Sequence, residues 1–246
     1  MGTSRYSKCT NIITDTMRIL IKCSGGALGK EDAKYDEASV EGIADQIGTL
    51  LAAGHQIALV VGGGNLFRGR DLSGKLHIAR TTADYIGMLA TVQNALVLRD
   101  YFVSRKIETR VLSAIAMPQI SESYIPKRAE RHMEKGRVVI FCAGLGAPFF
   151  TTDSSAVQRA LEIGAEVLVM AKDGIDGVYS ADPRKDPSAE KLSTLTLASA
   201  LERNLMFADA AAIGLAREHN LPIKVVGIGD MTRFADEGVG TLVTPA

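Results

Sequence analysis

Three segments of this sequence combine residue types suited to holding phosphate. Lys22-Cys23-Ser24-Gly25-Gly26 ends an apolar run with a lysine, then adds a serine and two glycines that let backbone N–H groups approach an anion. A lysine inside such a run needs a partner for its charge. Gly62-Gly63-Gly64-Asn65-Leu66-Phe67-Arg68-Gly69 directly follows the run Ile57–Val61. Consecutive glycines leave the main chain bare towards a phosphate, a following helix N-terminus would add its dipole, and Arg68 supplies a planar fork for phosphate oxygens. The third segment, Ala143–Asp153, has small residues first, then Thr151, Thr152 and Asp153 leading into a helical pattern. Asp153 is placed to cap that helix, to meet a ligand, or both.

Two nucleotide fingerprints fail here on single residues. A dinucleotide GxGxxG beginning at Gly62 would need glycine where Phe67 stands. Gly69–Lys75 (GRDLSGK) approaches the Walker A pattern but is followed by Leu76 instead of Ser or Thr, and no strand immediately precedes it. The histidines His55, His77, His132 and His219 show no metal-ligand spacing, and no Gly-x-Ser-x-Gly elbow occurs.

The elements that must position these loops alternate between strands and helices. Met17–Cys23, Gln56–Val61, Thr109–Leu112, Arg137–Cys142, Glu166–Met170 and Ile223–Gly227 read as near-continuous apolar strands, as in a sheet covered on both faces. Val40, Ile43, Ala44, Ile47, Leu50 and Leu51 fall at helical spacing with Gly54 as a stop. A second helix is predicted over Thr82–Ser104 with Ile86, Leu89, Val92 and Leu96 on one face, and a third from Asp153 burying Val157, Ala160, Leu161 and Gly164. This alternation predicts an α/β fold, a three-layer α/β/α sandwich with a mostly parallel central sheet. Asp173–Lys191, with its two Asp-Pro pairs, reads as a turn-rich excursion. After it come Leu197–Arg203, Ala208–His219 and a last strand at Gly240–Val243. Ligands of such sheets bind beyond the carboxyl ends of the strands, where all three loops fall.

Bulk composition narrows the function classes. The chain has 246 residues, 28 basic against 28 acidic, so it lacks the basic excess that nucleic-acid or acidic-membrane binding would require. Cys9, Cys23 and Cys142 are an odd, widely spaced set, read as free thiols of a reducing compartment, with the latter two as small buried hydrophobes. No run reaches the length of a membrane span and the first residues lack a signal-peptide core, so a cytoplasmic protein with a loose leader over residues 1–16 is expected.

Lys22-Cys23-Ser24-Gly25, GGGNLFRG from Gly62, Asp84–Thr91, Pro148–Ser154 and Asp176–Pro183 together resemble the amino-acid kinase family, and within it the bacterial uridylate kinases. The resemblance runs from about Met17 to the C-terminus. It implies a single domain over 17–246, with a UMP-binding part over about 17–165 and an ATP-binding part over about 166–246. It also implies conversion of ATP and UMP to ADP and UDP in pyrimidine nucleotide biosynthesis, with Mg²⁺ carried by the nucleotide phosphates, in a homohexamer.

Residue by residue, the resemblance implies that Lys22, Cys23, Ser24 and Gly25 contact the ATP phosphates and that Gly64 lies between the nucleotides. Gly63 and Arg68 would hold the phosphates that face each other. Asp84 would bind the UMP ribose, and Leu145, Gly146, Ala147, Pro148, Phe149, Phe150, Thr151 and Thr152 would line the uridine pocket. Asp173, Tyr179 and Asp182 would hold the ATP base and ribose, and Asp153 would orient Lys22 or the metal. Three departures from the family pattern stand out. Gly26 replaces the usual Glu, and Leu145 and Ala147 stand where Thr and Asn are common, which leaves fewer polar contacts to uracil. Gly29–Asp36 matches the GTP-activation region poorly, which speaks against activation by GTP while leaving UTP feedback through the substrate site. The alternatives are a family member phosphorylating a carboxylate, such as acetylglutamate or aspartate, and a non-catalytic uridine-nucleotide sensor.

Overall fold

The computed structural model describes residues 16–30, 32–67, 77–205 and 207–245. Arg68, Cys9, the Walker-like segment 69–75 and nearly all of the expected leader lie outside the described residues.

The six apolar runs form β1 (Arg18–Cys23), β2 (Gln56–Val61), β3 (Thr109–Ser113), β5 (Val138–Cys142), β6 (Val167–Lys172) and β10 (Ile223–Gly227). With β4 (Glu122–Ser123), β9 (Thr194–Thr196) and β11 (Thr241–Thr244) they make a nine-stranded sheet in the order β4-β3-β5-β2-β1-β6-β10-β11-β9. Every neighbouring pair is parallel except β10 and β11. The excursion carries its own antiparallel pair, β7 (Val178–Tyr179) with β8 (Lys191–Leu192).

Period-two alternation sorts β1 between two cores. Ile19, Ile21 and Cys23 pack with the helices α1 (Glu37–Ala52) and α2 (Arg80–Ser104) and with Met231. Leu20 faces the opposite layer of α3 (Pro126–Glu134), α4 (Thr152–Glu162), α5 (Leu197–Glu202) and α6 (Ala210–Glu218). The molecule is thus the expected α/β/α sandwich, and β1 lies near its middle, between β2 and β6.

Asp36 caps α1 by accepting from the Ser39 N–H, and Gly54, at φ +90°, follows its end as expected. Helix α2 is rotated relative to the expected face. Met88, Val92, Ala95, Leu98 and Phe102 are buried, whereas Leu89 is exposed. The reason is local: Thr91 and Asn94 turn inward to bind loop backbone, and Ala90 lies against Gly63, where a bulkier side chain would clash. In α4, Val157 and Ala160 are buried, whereas Gly164 lies beyond the helix at φ +63° and serves to end it.

Candidate active site

Lys22 shares the parity of Leu20, so its side chain leaves β1 on the α4 side, where Asp153 sits in the helix's first turn. The Lys22 ammonium is buried and lies 2.9 Å from Asp153 Oδ1. That contact is a charge pair, and among the described residues Oδ1 accepts no hydrogen bond. Asp153 does not cap α4: Thr151 does, accepting from the N–H groups of Asp153 and Ser154. With the cap supplied by its neighbour, the Asp153 carboxylate is available to Lys22. Thr151 in turn hydrogen-bonds Asp209, the cap of α6, which also accepts from Ser154 Oγ at 3.0 Å.

Lys172, the last residue of β6, is a third charge at this edge. Its ammonium donates to the Phe207 carbonyl at 2.6 Å. Burial pushes its pKa below the ordinary lysine value, with Asp153 opposing that shift and Lys22 adding to it. Asp153 thus electrostatically serves two lysines.

The first two loops interlock through main chain. Gly62 N–H donates to the Cys23 carbonyl at 3.0 Å, and a Cβ on Gly25 would fall 2.4 Å from Gly64 N. A Cβ on Gly63 would strike Ala90, whereas for Gly64, its chain neighbours aside, no atom of the described residues stands within 4 Å of such a position. Among the described residues Ser24 Oγ is buried without a hydrogen-bond partner, a position from which it could meet a ligand. The Cys23 thiol points into the core, where burial raises its pKa to about 12, so any ligand contact at this position is by main chain.

A cavity of about 300 Å³ opens beside these loops. It brings together Gly63, Gly64, Asp84, Leu145, Ala147, Phe150, Thr151 and Thr152 from the sequence expectation, and adds Arg80, Thr91 and Arg159. Gly146 and Pro148 belong to the same loop but not to the lining, and Phe149 is exposed. Arg159 is buried, stacks 3.8 Å over the Tyr124 ring and donates to the Gly144 carbonyl at 3.2 Å, which braces the loop from below.

Tyr179 and Asp182 lie outside this cavity, on the excursion. The Tyr179 hydroxyl donates to Asp176 at 2.7 Å, and Asp182 accepts from the Arg184 N–H. Asp173 is nearer: its Oδ2 would stand 3.5 Å from a Cβ on Gly26.

Sequence reasoning missed an amide network under the glycine loop. Asn94, fully buried on α2, donates to the Gly62 carbonyl at 2.7 Å and to Asn65 Oδ1 at 2.7 Å, and accepts from the Tyr35 hydroxyl at 2.9 Å. Asn65 also donates to the Lys34 carbonyl. The signal was legible as two polar residues, Thr91 and Asn94, three apart within an otherwise apolar helix face. Thr91 Oγ1 accepts from the Ala143 N–H at 2.8 Å and so anchors the third loop at its left-handed start.

Among the described residues no group of three or more His, Cys, Asp or Glu side chains could cage a metal. The carboxylates at this edge suit a cation that arrives on phosphate oxygens and keeps most of its ligands from phosphate and water.

Residues 17–227 match the amino acid kinase family. The uridylate kinase of Paenarthrobacter aurescens is 50% identical over 232 residues, covering 93% of this chain and 94% of that protein. The UMP kinase of Bacillus anthracis superposes with a TM-score of 0.90 at 39% identity, covering 93% of this chain and 96% of the other. The UMP kinase of Ureaplasma parvum gives 0.87 at 34%, covering 94% and 99%. Sequence, sheet order and the site at the carboxyl ends of the strands agree: this chain belongs to the amino-acid kinase family and, within it, to the uridylate kinases.

Proposed function

We propose that the chain transfers the γ-phosphoryl group of Mg-ATP to the phosphate of UMP, giving ADP and UDP. The observation that carries this reading is the buried Lys22–Asp153 pair, beside the interlocked glycine loops and a cavity of about 300 Å³ whose lining includes Asp84 and Gly63. An acceptor phosphate oxygen attacks the γ-phosphorus in line, and the bond to the ADP oxygen breaks. The acceptor is already ionised near neutral pH, so no general base is required. What remains for the protein is to position two anions and neutralise them.

Lys22 and Lys172 supply positive charge, and Asp153 orients Lys22. Ser24 Oγ and the N–H groups around Gly25 and Gly64 receive the phosphates. Arg68 clamps the phosphates from the second loop, and Gly63 brings the acceptor close to α2. Asp84 receives the ribose hydroxyls, and the loop from Leu145 to Thr152 encloses uracil. Asp173, Tyr179 and Asp182 serve the ATP base and ribose. Magnesium carried on the ATP phosphates would supply charge neutralisation there. Residues 17–165 form the UMP half and 166–246 the ATP half. The reading extends to a cytoplasmic homohexamer in pyrimidine nucleotide synthesis, with UTP feedback left open through the substrate site and Gly29–Asp36 speaking against activation by GTP.

The test is ADP release from Mg-ATP with a panel of nucleoside monophosphates, acetylglutamate and aspartate. UDP formation with UMP is expected. Turnover of acetylglutamate or aspartate without UMP turnover would select the carboxylate kinases instead, and nucleotide binding without turnover would select the sensor.

A further inference from the structure

The Asp84 carboxylate is engaged on both oxygens by the protein itself. Arg80, one turn earlier on α2, donates Nε–H to Oδ1 at 2.8 Å. The Phe149 N–H donates to Oδ2 at 2.8 Å. Phe149 holds a left-handed φ of +73°, costly for a bulky residue, and its ring lies 5.8 Å from the Arg80 guanidinium. Arg80 is the first residue of α2, where a cation opposes the helix dipole. Neither feature favours its own element. Together they clamp one carboxylate from two sides and tie the uridine loop to α2.

A carboxylate has about four acceptor sites. Two are filled here, and the clamp fixes the direction of the other two. The Asp84 side chain is only 17% exposed, so an acceptor left without a donor beneath a bound nucleotide would be poorly solvated. We propose that Arg80 is a specificity-determining positioning residue: with the Phe149 N–H it sets the Asp84 carboxylate to read two vicinal ribose hydroxyls and to reject a 2′-deoxyribose. This rests on the reading of Asp84 as the ribose partner. Without Arg80 the carboxylate rotates and meets a single hydroxyl with either oxygen. Discrimination between sugars is then lost before binding itself.

The test compares kcat/KM for UMP and dUMP in the wild type, Arg80→Ala, Arg80→Lys and Asp84→Asn. The wild type is expected to prefer UMP. Arg80→Ala should shrink the UMP/dUMP ratio at least fivefold, through KM for UMP, with KM for ATP and the thermal midpoint unchanged. Arg80→Lys, which keeps the charge one turn away, should restore part of the ratio. Equal losses for the two substrates in Arg80→Ala, or an unchanged ratio, would overturn the assignment. If Asp84→Asn abolishes discrimination while Arg80→Ala leaves it intact, the Arg80 proposal falls and the ribose reading stands. If Asp84→Asn leaves the ratio unchanged, the ribose reading falls and the proposal with it.

Discussion

Lys172 is a residue whose burial works against the fold and for the site. Its pKa is lowered mainly by loss of solvent, so the unfolded chain binds the proton more readily than the folded one. Folding stability should therefore rise with pH between the folded Lys172 pKa and the ordinary value near 10.5. Lys172→Met is expected to flatten that rise and keep or raise the thermal midpoint near neutral pH, while lowering kcat by roughly tenfold through lost charge at the phosphates. Thermal melts across pH, paired with steady-state kinetics, check both halves. Arg68→Ala should lower kcat/KM for UMP at least tenfold, about 1.4 kcal/mol, and an unchanged value would remove Arg68 from the site. Cys23 and Cys142 carry thiols pushed to about 12 by burial. In peptide mapping after alkylation of the native protein they should stay unmodified, and react only on unfolding.

At the scale of elements, the glycine loop depends on α2 as much as on its own glycines. Asn94→Asp keeps the size of the side chain but replaces the amide that donates to Gly62 and Asn65 with a group that cannot donate when ionised. It is expected to lower kcat by at least tenfold while KM for UMP changes little. A matched loss of KM and kcat with gross destabilisation would instead mark Asn94 as structural only. The strands were legible because a buried parallel strand is apolar throughout, and Lys22 is conspicuous as a charge near the end of such a run, whereas Lys172 lies beyond the run read as Glu166–Met170 and joins β6 only in the structure. The inward face of α2 was harder to see. Ile86, Leu89 and Leu96 look like a core stripe by hydrophobicity, yet Thr91 and Asn94 occupy the inward face because loop backbone needs their hydrogen bonds more than the core needs their volume. The short strands β4, β7, β8 and β9 have two or three residues each, too few to display a period. The sequence offers Asp153 as the cap of α4, but hydrogen-bond geometry gives that role to Thr151, two residues earlier.

The whole molecule gathers its chemistry at one sheet edge. β1 brings Lys22, β2 the triple glycine, β5 the loop from Ala143 to Asp153 and β6 Lys172, all from neighbouring strands at the middle of the sheet. Outside that edge, Tyr85, Leu89 and Val97 leave an exposed apolar stripe at helical spacing along α2. The proposed hexamer predicts a light-scattering mass of six 26.2 kDa chains; a monomeric mass at micromolar concentration would contradict it. In the proposed reaction phosphate moves to UMP at the Lys22 edge. Transfer of a labelled γ-phosphoryl group from ATP to UMP, followed in parallel for the wild type and Lys22→Met, tests it most directly. Label should appear in UDP with the wild type and form about a hundredfold more slowly with the variant, as removal of a transition-state charge donor requires. Equal rates for the two proteins, or no label in UDP from the wild type, would contradict it.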